Sequence, residues 1–221
     1  MTAKHHPSEA TLFAYGGGAL SEGLSLVVAT HLALCPTCRR TVAEIEAVGG
    51  SLLDDLPPSV LAIDSLDHVM DRLDQPANRL TPPARPLSSP RADGLNVPQP
   101  LRSYLEVTRK NHWRTLAPGI RHLEVLPRTT AGENVFLLRV APGTSLARHG
   151  HSGPELTVVL EGSFSDELGR FAAGDFAETD DCVNHQPLAD TAVDCVCLIA
   201  VRGPLRFDGL AGRLMQLFTR I

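Results

Sequence analysis

Residues 143–162 read GTSLARHGHSGPELTVVLEG, and the spacing of the ionisable side chains here decides how the second half of the chain is built. His149 and His151 are two residues apart, so on a strand both leave the same face. A short bend then lets Glu155 follow them to that face. Thirty residues beyond Glu155 stands His185, expected on a facing strand that closes the set. Three neutral imidazoles and one carboxylate make a divalent-metal site at the mouth of a barrel, with positions left open for water or a ligand. Zinc heads the list for this site, and manganese, iron and nickel also suit the donors.

The sequence around that stretch has the texture of strands. NVFLLRVAPG, LTVVLEGSF, FAAGDFAET and CVCLIAVRGP are short apolar runs split by Gly and Pro turns, at the spacing of a barrel or sandwich. Cys195 and Cys197 share one side of the last strand, where they read as small buried hydrophobes, or more sharply as a redox-responsive pair near the cavity with Cys182 as a third thiol. Upstream, seven of the seventeen prolines fall between Gln75 and Pro100, without apolar periodicity, which marks residues 76–100 as a linker.

Before the linker the pattern is helical. Ser8 can cap a helix through Tyr15, Ser21 a second through Leu34, and Pro36 can open a third that ends at Gly49 and Gly50. A fourth is expected after Pro57 and Pro58, where Val60, Ile63, Leu66, Val69 and Leu73 form one apolar stripe. His31, Cys35 and Cys38 stand as H-x-x-x-C-x-x-C. His31 and Cys35 leave one helix face at i and i+4, and the turn at Pro36 brings Cys38 round to them. Zinc takes four such soft donors in a tetrahedron, the fourth supplied by His6 or His5. A closed N/S site of this kind is a structural staple.

Composition narrows the setting. The chain has 221 residues, 43% apolar and 20% charged, with a mean hydropathy of zero, as in a soluble globular protein. The net charge of -5 is N-terminal: residues 1–80 hold five Lys or Arg against ten Asp or Glu, and residues 81–221 hold fifteen of each. An acidic segment suits a basic protein partner and argues against direct nucleic-acid binding. No apolar run approaches a membrane span, and five cysteines fit metal or redox chemistry in a reducing, cytoplasmic compartment.

Both halves carry a family resemblance. HHPSEATLFAYGGGALSEGLSLVVATHLALCPTCRRTVAEIEAVGGSLL resembles the zinc-binding domain of ChrR-type anti-sigma factors. That resemblance implies a structural zinc on His6, His31, Cys35 and Cys38, and helices that occlude the polymerase-binding surfaces of an extracytoplasmic-function sigma factor. The second half matches the first cupin motif, G-x5-H-x-H-x3-E-x6-G, at Gly143, His149, His151, Glu155 and Gly162. Residues 174–185 are similar to the second, G-x5-P-x-G-x2-H, with Asp180 and Cys182 where the family has Pro and Gly. The expected protein is therefore multidomain α plus β. A zinc-stapled helical anti-sigma domain at 1–75 and the linker precede a cupin-like β-barrel or jelly roll at 101–221. The resemblance implies that it binds the sigma factor as a 1:1 heterodimer and releases it on singlet oxygen or organic peroxide sensed through the cupin. The alternative is a cupin metalloenzyme, a dioxygenase or isomerase, with an N-terminal interaction domain.

Overall fold

The computed structural model describes residues 3–74, 95, 97–107, 112–130 and 132–207. Most of the expected linker, residues 75–94 and 96, lies outside them. Helix α1 (Glu9–Gly16) is capped as expected, the Ser8 hydroxyl accepting from the Thr11 N–H at 3.2 Å. α2 (Glu22–Leu34) has Ser21 at its N-cap, but that side chain makes no cap hydrogen bond and donates instead to the Glu133 carboxylate. α3 (Pro36–Asp54) opens at Pro36 as expected, then runs through Gly49 and Gly50 rather than stopping there. Neither glycine takes the left-handed conformation that ends helices, and Leu52 and Leu53 beyond them favour continuation.

α4 (Ser65–Asp74) is shorter than its apolar stripe, leaving Val60 and Ile63 in irregular, exposed chain. An unexpected α5 (Gln99–Val107) follows, and Leu95 and Val97, inside the expected linker, are buried.

Among the described residues twelve strands follow: β1 (Arg114–Ala117), β2 (Ile120–Leu126), β3 (Glu133–Val140), β4 (His149–Gly150), β5 (Glu155–Glu161), β6 (Ser163–Asp166), β7 (Gly169–Ala172), β8 (Phe176–Thr179), β9 (Asn184–His185), β10 (Leu188–Ala189), β11 (Cys195–Arg202) and β12 (Arg206–Phe207). A six-stranded antiparallel sheet in the order β1-β2-β3-β11-β5-β8 faces two three-stranded sheets, β10-β6-β7 and β12-β4-β9. The result is a cupin-like sandwich rather than a closed barrel. Gly162 turns β5 into β6 with φ +68, and a Cβ there would meet the Asp194 carbonyl at 2.4 Å. That position requires glycine on both counts.

The large sheet is apolar on both faces. Along β11, Cys195, Cys197, Ile199 and Val201 join the core inside the sandwich, while Val196, Leu198 and Ala200 belong to a second core shared with Leu26, Val27 and Val28 of α2 and Leu101 of α5. Residues 1–46 and 90–221 form one unit, and residues 47–89 a second. In the first unit α2 lies on β3, β5 and β11. Its N-terminal end is fixed by the buried Glu133, which accepts from the Ser21 hydroxyl and from the Gly23 N–H at 3.0 Å.

Gly23 lies hard against the sheet, since a Cβ would stand 2.4 Å from Val135 Cγ2 and 2.5 Å from Glu133 Oε1. Alanine in an exposed helix would gain ~1 kcal/mol over glycine. Overpacking instead costs about 1–3 kcal/mol. Gly23→Ala is therefore expected to destabilise the full chain in denaturant titration, and a stabilised variant would mean that α2 does not dock at this point.

Candidate metal centres

Four of the expected ligands come together in the helical region. One donor atom from each of His6, His31, Cys35 and Cys38 lies within 4.8 Å of the others. His31 Nε2 is 3.4 Å from Cys38 Sγ, and His6 Nδ1 is 3.4 Å from Cys35 Sγ and 3.3 Å from Cys38 Sγ. Local structure explains the convergence. Cys35 is the C-cap of α2, one turn past His31, and Pro36 starts α3 so that Cys38 falls in its first turn. The choice between His5 and His6 is settled by direction. His5 turns away, its ring 4.6 Å from that of Phe171 and its Nδ1 3.2 Å from the Asp175 carboxylate.

The chemistry of this set fits a soft divalent ion. His31 is fully buried, and burial holds its pKa down to about 4, so the ring is neutral. Its Nδ1–H donates to the Gly174 carbonyl at 3.0 Å, which leaves the Nε2 lone pair facing the thiols. Burial, followed by the neighbouring Cys35, pushes the Cys38 thiol up to about 12. A zinc ion shared by the two sulfurs would remove that penalty.

The second cluster is in the β-sandwich. His185 Nε2 lies 3.2 Å from both His151 Nε2 and His149 Nε2. Register accounts for this, because β4 pairs with β9 and sets His149 directly opposite His185. The turn before β9 departs from the cupin motif yet still delivers His185. Asp180 replaces the missing proline with a side-chain turn, its carboxylate accepting from the Cys182 N–H at 2.9 Å. Burial holds His149 at about 4 and His151 at about 3, keeping both rings neutral. The Nδ1–H of His149 donates to the Ala147 carbonyl and that of His185 to Asp166, each at 2.8 Å, which turns both Nε2 atoms toward one another. Three imidazole nitrogens gathered in this way fit a divalent cation.

Glu155 is not gathered into this cluster. Its carboxylate stands 3.5 Å from His151 Nδ1, whereas it is His151 Nε2 that meets His185. It is buried, and burial raises its pKa to about 7. A cavity of about 110 Å³ opens beside the histidines, lined by Glu155 and Thr157 and by apolar side chains such as Phe136, Phe164 and Ile199. Cys195 and Cys197 also line it, on one side of β11 as expected, with sulfurs 3.7 Å apart. Its hydrogen-bonded contact with Cys195, then burial, keeps the Cys197 thiol well above its usual range. Cys182 is exposed beside Asp180 and Asp181, apart from this pair.

Three supporting residues escaped the sequence reading. Asp166 orients His185, and Gly174 and Asp175 meet the helical cluster. Gly174 is the first glycine of the second motif, so its signal was present. That its carbonyl reaches a histidine 143 positions away was not.

Residues 103–205 match the family model described as the ChrR cupin-like domain. The sequence is 44% identical over 223 residues to the anti-sigma-E factor ChrR of Cereibacter sphaeroides, spanning 100% of both chains. The fold matches a chain of the crystal structure of Rhodobacter sphaeroides SigE in complex with the anti-sigma ChrR, with TM-score 0.74 and 41% identity. That match covers 90% of this chain and 99% of the other. An RmlC-like cupin protein from Ralstonia eutropha JMP134 is more distant, with TM-score 0.42 and 20% identity over 48% of this chain and 71% of its own.

Asp166 is buried, and although burial opposes its charge, the His185 ring and the Leu168 and Gly169 N–H groups hold its pKa below the usual carboxylate range. Carboxylates that orient a ligating imidazole contribute about 10–100-fold to metal affinity. Asp166→Asn is expected to lose that much affinity at the three-histidine set and none at the Cys35/Cys38 set. Metal analysis after graded dialysis checks it, and unchanged retention would show that His185 needs no such partner.

Proposed function

The chain belongs to the ChrR family of anti-sigma factors, and from that premise we propose that it sequesters an extracytoplasmic-function sigma factor in a 1:1 complex. Release would follow an oxidative signal, singlet oxygen or organic peroxide, sensed through the cupin-like domain. The observation that carries this reading is the full-length match. The relative whose structure was solved with SigE is covered over 99% of its chain, helical region and β-sandwich together. The family's named member is a regulator, and this chain is read as one rather than as a cupin enzyme.

The chemistry of the chain supports the assignment. On residues 47–74, Leu52, Leu53, Leu56, Leu66, Val69 and Leu73 are all more than half exposed, on a segment that also carries Asp54, Asp55, Asp64, Asp67 and Asp71. An apolar surface rimmed with acid suits a partner that is apolar at its contact and basic around it, as expected of a surface built for core polymerase.

His6, His31, Cys35 and Cys38 would hold zinc, with His149, His151, His185 and Glu155 as the candidate ligands of a second divalent metal. The first ion would supply a cross-link that two short helices with few aromatic side chains need for stability. The second would supply an open coordination site inside the cavity. His31, anchored to Gly174, holds the end of α2 on the sandwich, while Glu155, near neutrality in its pKa, is placed to take or give a proton beside His151. A signal shifts the complex only by affecting its bound and free states differently. The packing of α2 on β3, β5 and β11 provides the physical connection for that difference.

Co-purification with the sigma factor is the test. Wild type should bring it down; Cys35→Ser and Cys38→Ser should lose zinc and release it. His149→Ala with Glu155→Ala should still bind it but respond less to singlet oxygen or organic peroxide. A wild-type chain that ignores the sigma factor, or a zinc-free variant that holds it fully, would overturn the proposal. Release at wild-type rate from the double variant would remove the cupin from sensing.

A further inference from the structure

Three consecutive residues, Gly174 and Asp175 in the turn after β7 and Phe176 at the start of β8, meet the helical metal cluster or the segment that leads to it. Gly174, in a left-handed conformation at φ +95, presents its carbonyl to His31 Nδ1–H at 3.0 Å. Phe176 donates its N–H to the His5 carbonyl at 3.1 Å. Between them Asp175, buried to 3% exposure, accepts at Oδ1 from the backbone N–H of Lys4 at 2.6 Å and of His5 at 3.1 Å. Its Oδ2 accepts from the Ala172 N–H at 2.9 Å.

These contacts bear on the ligand that most needs support. His31, Cys35 and Cys38 are buried and sit on or beside helices, whereas His6 is exposed and its neighbours 3–7 belong to no helix or strand. Fixing an extended residue costs backbone entropy, and a ligand drawn from a segment outside any helix or strand adds that cost to metal binding. Asp175 clamps the two residues immediately before His6 and is not itself one of the clustered donors.

We propose that Asp175 is a positioning residue of the helical metal site: its carboxylate holds residues 4 and 5 so that His6 Nδ1 meets the two thiols, and through it the cupin-like domain sets how tightly that site retains its ion. The inference rests on the reading that His6, His31, Cys35 and Cys38 bind zinc. A purely local role, bracing the turn through the Ala172 N–H, is the competing account. Lys4→Pro separates the two, because it deletes the donor at 2.6 Å and leaves the turn untouched.

The full-length protein is loaded with cobalt(II), and thiolate-to-cobalt absorbance that Cys35→Ser removes is followed after addition of excess EDTA. Asp175→Ala and Lys4→Pro are both expected to release the metal about 10–100-fold faster than wild type, with Asp175→Asn intermediate. Asp190→Ala is the control for general loosening. Its carboxylate accepts from Arg170 Nε at 2.8 Å and from the Ser163 hydroxyl at 2.5 Å, both on the sandwich itself, and it should release at wild-type rate. Lys4→Pro and Asp175→Asn at wild-type rate, or Asp190→Ala as fast as Asp175→Ala, would overturn the proposal. Should Asp175→Ala not fold, Lys4→Pro and Asp175→Asn decide alone. A wild-type protein without the Cys35-dependent band would refute the underlying metal reading instead.

Discussion

The sheet formed by β3, β11 and β5 carries apolar side chains on both faces, and α2 covers the outer one. Val196, Leu198 and Ala200 would otherwise face water, as would Val135, Leu137, Leu156 and Val158. Burying an aliphatic side chain stabilises by ~1.5–3 kcal/mol, so this contact weighs more than any single polar pair in the molecule. Other features depend on it. Gly23 is a glycine because the helix comes down on Val135, Glu133 is buried where it caps that helix, and His31 reaches Gly174 only while α2 lies where it does.

Burial also sets the chemistry of both clusters. It keeps His31, His149 and His151 neutral, pushes the Cys38 thiol up, adds to the Cys195 contact in raising Cys197, and lifts the Glu155 pKa to about 7. Neutral imidazoles with one nitrogen committed to a carbonyl or carboxylate are metal donors in waiting. The two clusters differ in access. The first is closed by four donors at the end of a helix, while the second opens on an apolar cavity. One hairpin lies between them. Asp166 on β6 orients His185, Phe171 on β7 packs on His5, and the turn after β7 carries Gly174 and Asp175. Phe164, stacked on Phe171 at 5.1 Å, lines the cavity itself.

Much of this was legible in the residues. Short-range spacing placed His31, Cys35 and Cys38 together, because an α-turn followed by a proline restart leaves little geometric freedom. Strand periodicity put His149 and His151 in one cluster and Cys195 and Cys197 on one wall. The helix ends were less legible. Gly49 and Gly50 looked like a stop but are helical, and the stripe from Val60 to Leu73 yielded a helix only from Ser65.

The sequence by itself determined which residues can serve as donors and the local elements that present them, since those follow from periods of two and of 3.6 residues and from caps and turns. Only the tertiary structure turned His5 away from the thiols that His6 meets, and set Glu155 at His151 Nδ1 rather than among the three Nε2 atoms. It also decided that residues 1–46 pack into one unit with the β-sandwich across a stretch that reads as a linker. Each of these is a contact between positions far apart in the chain. Such contacts are selected by which apolar faces can cover each other, and no local spacing encodes that choice.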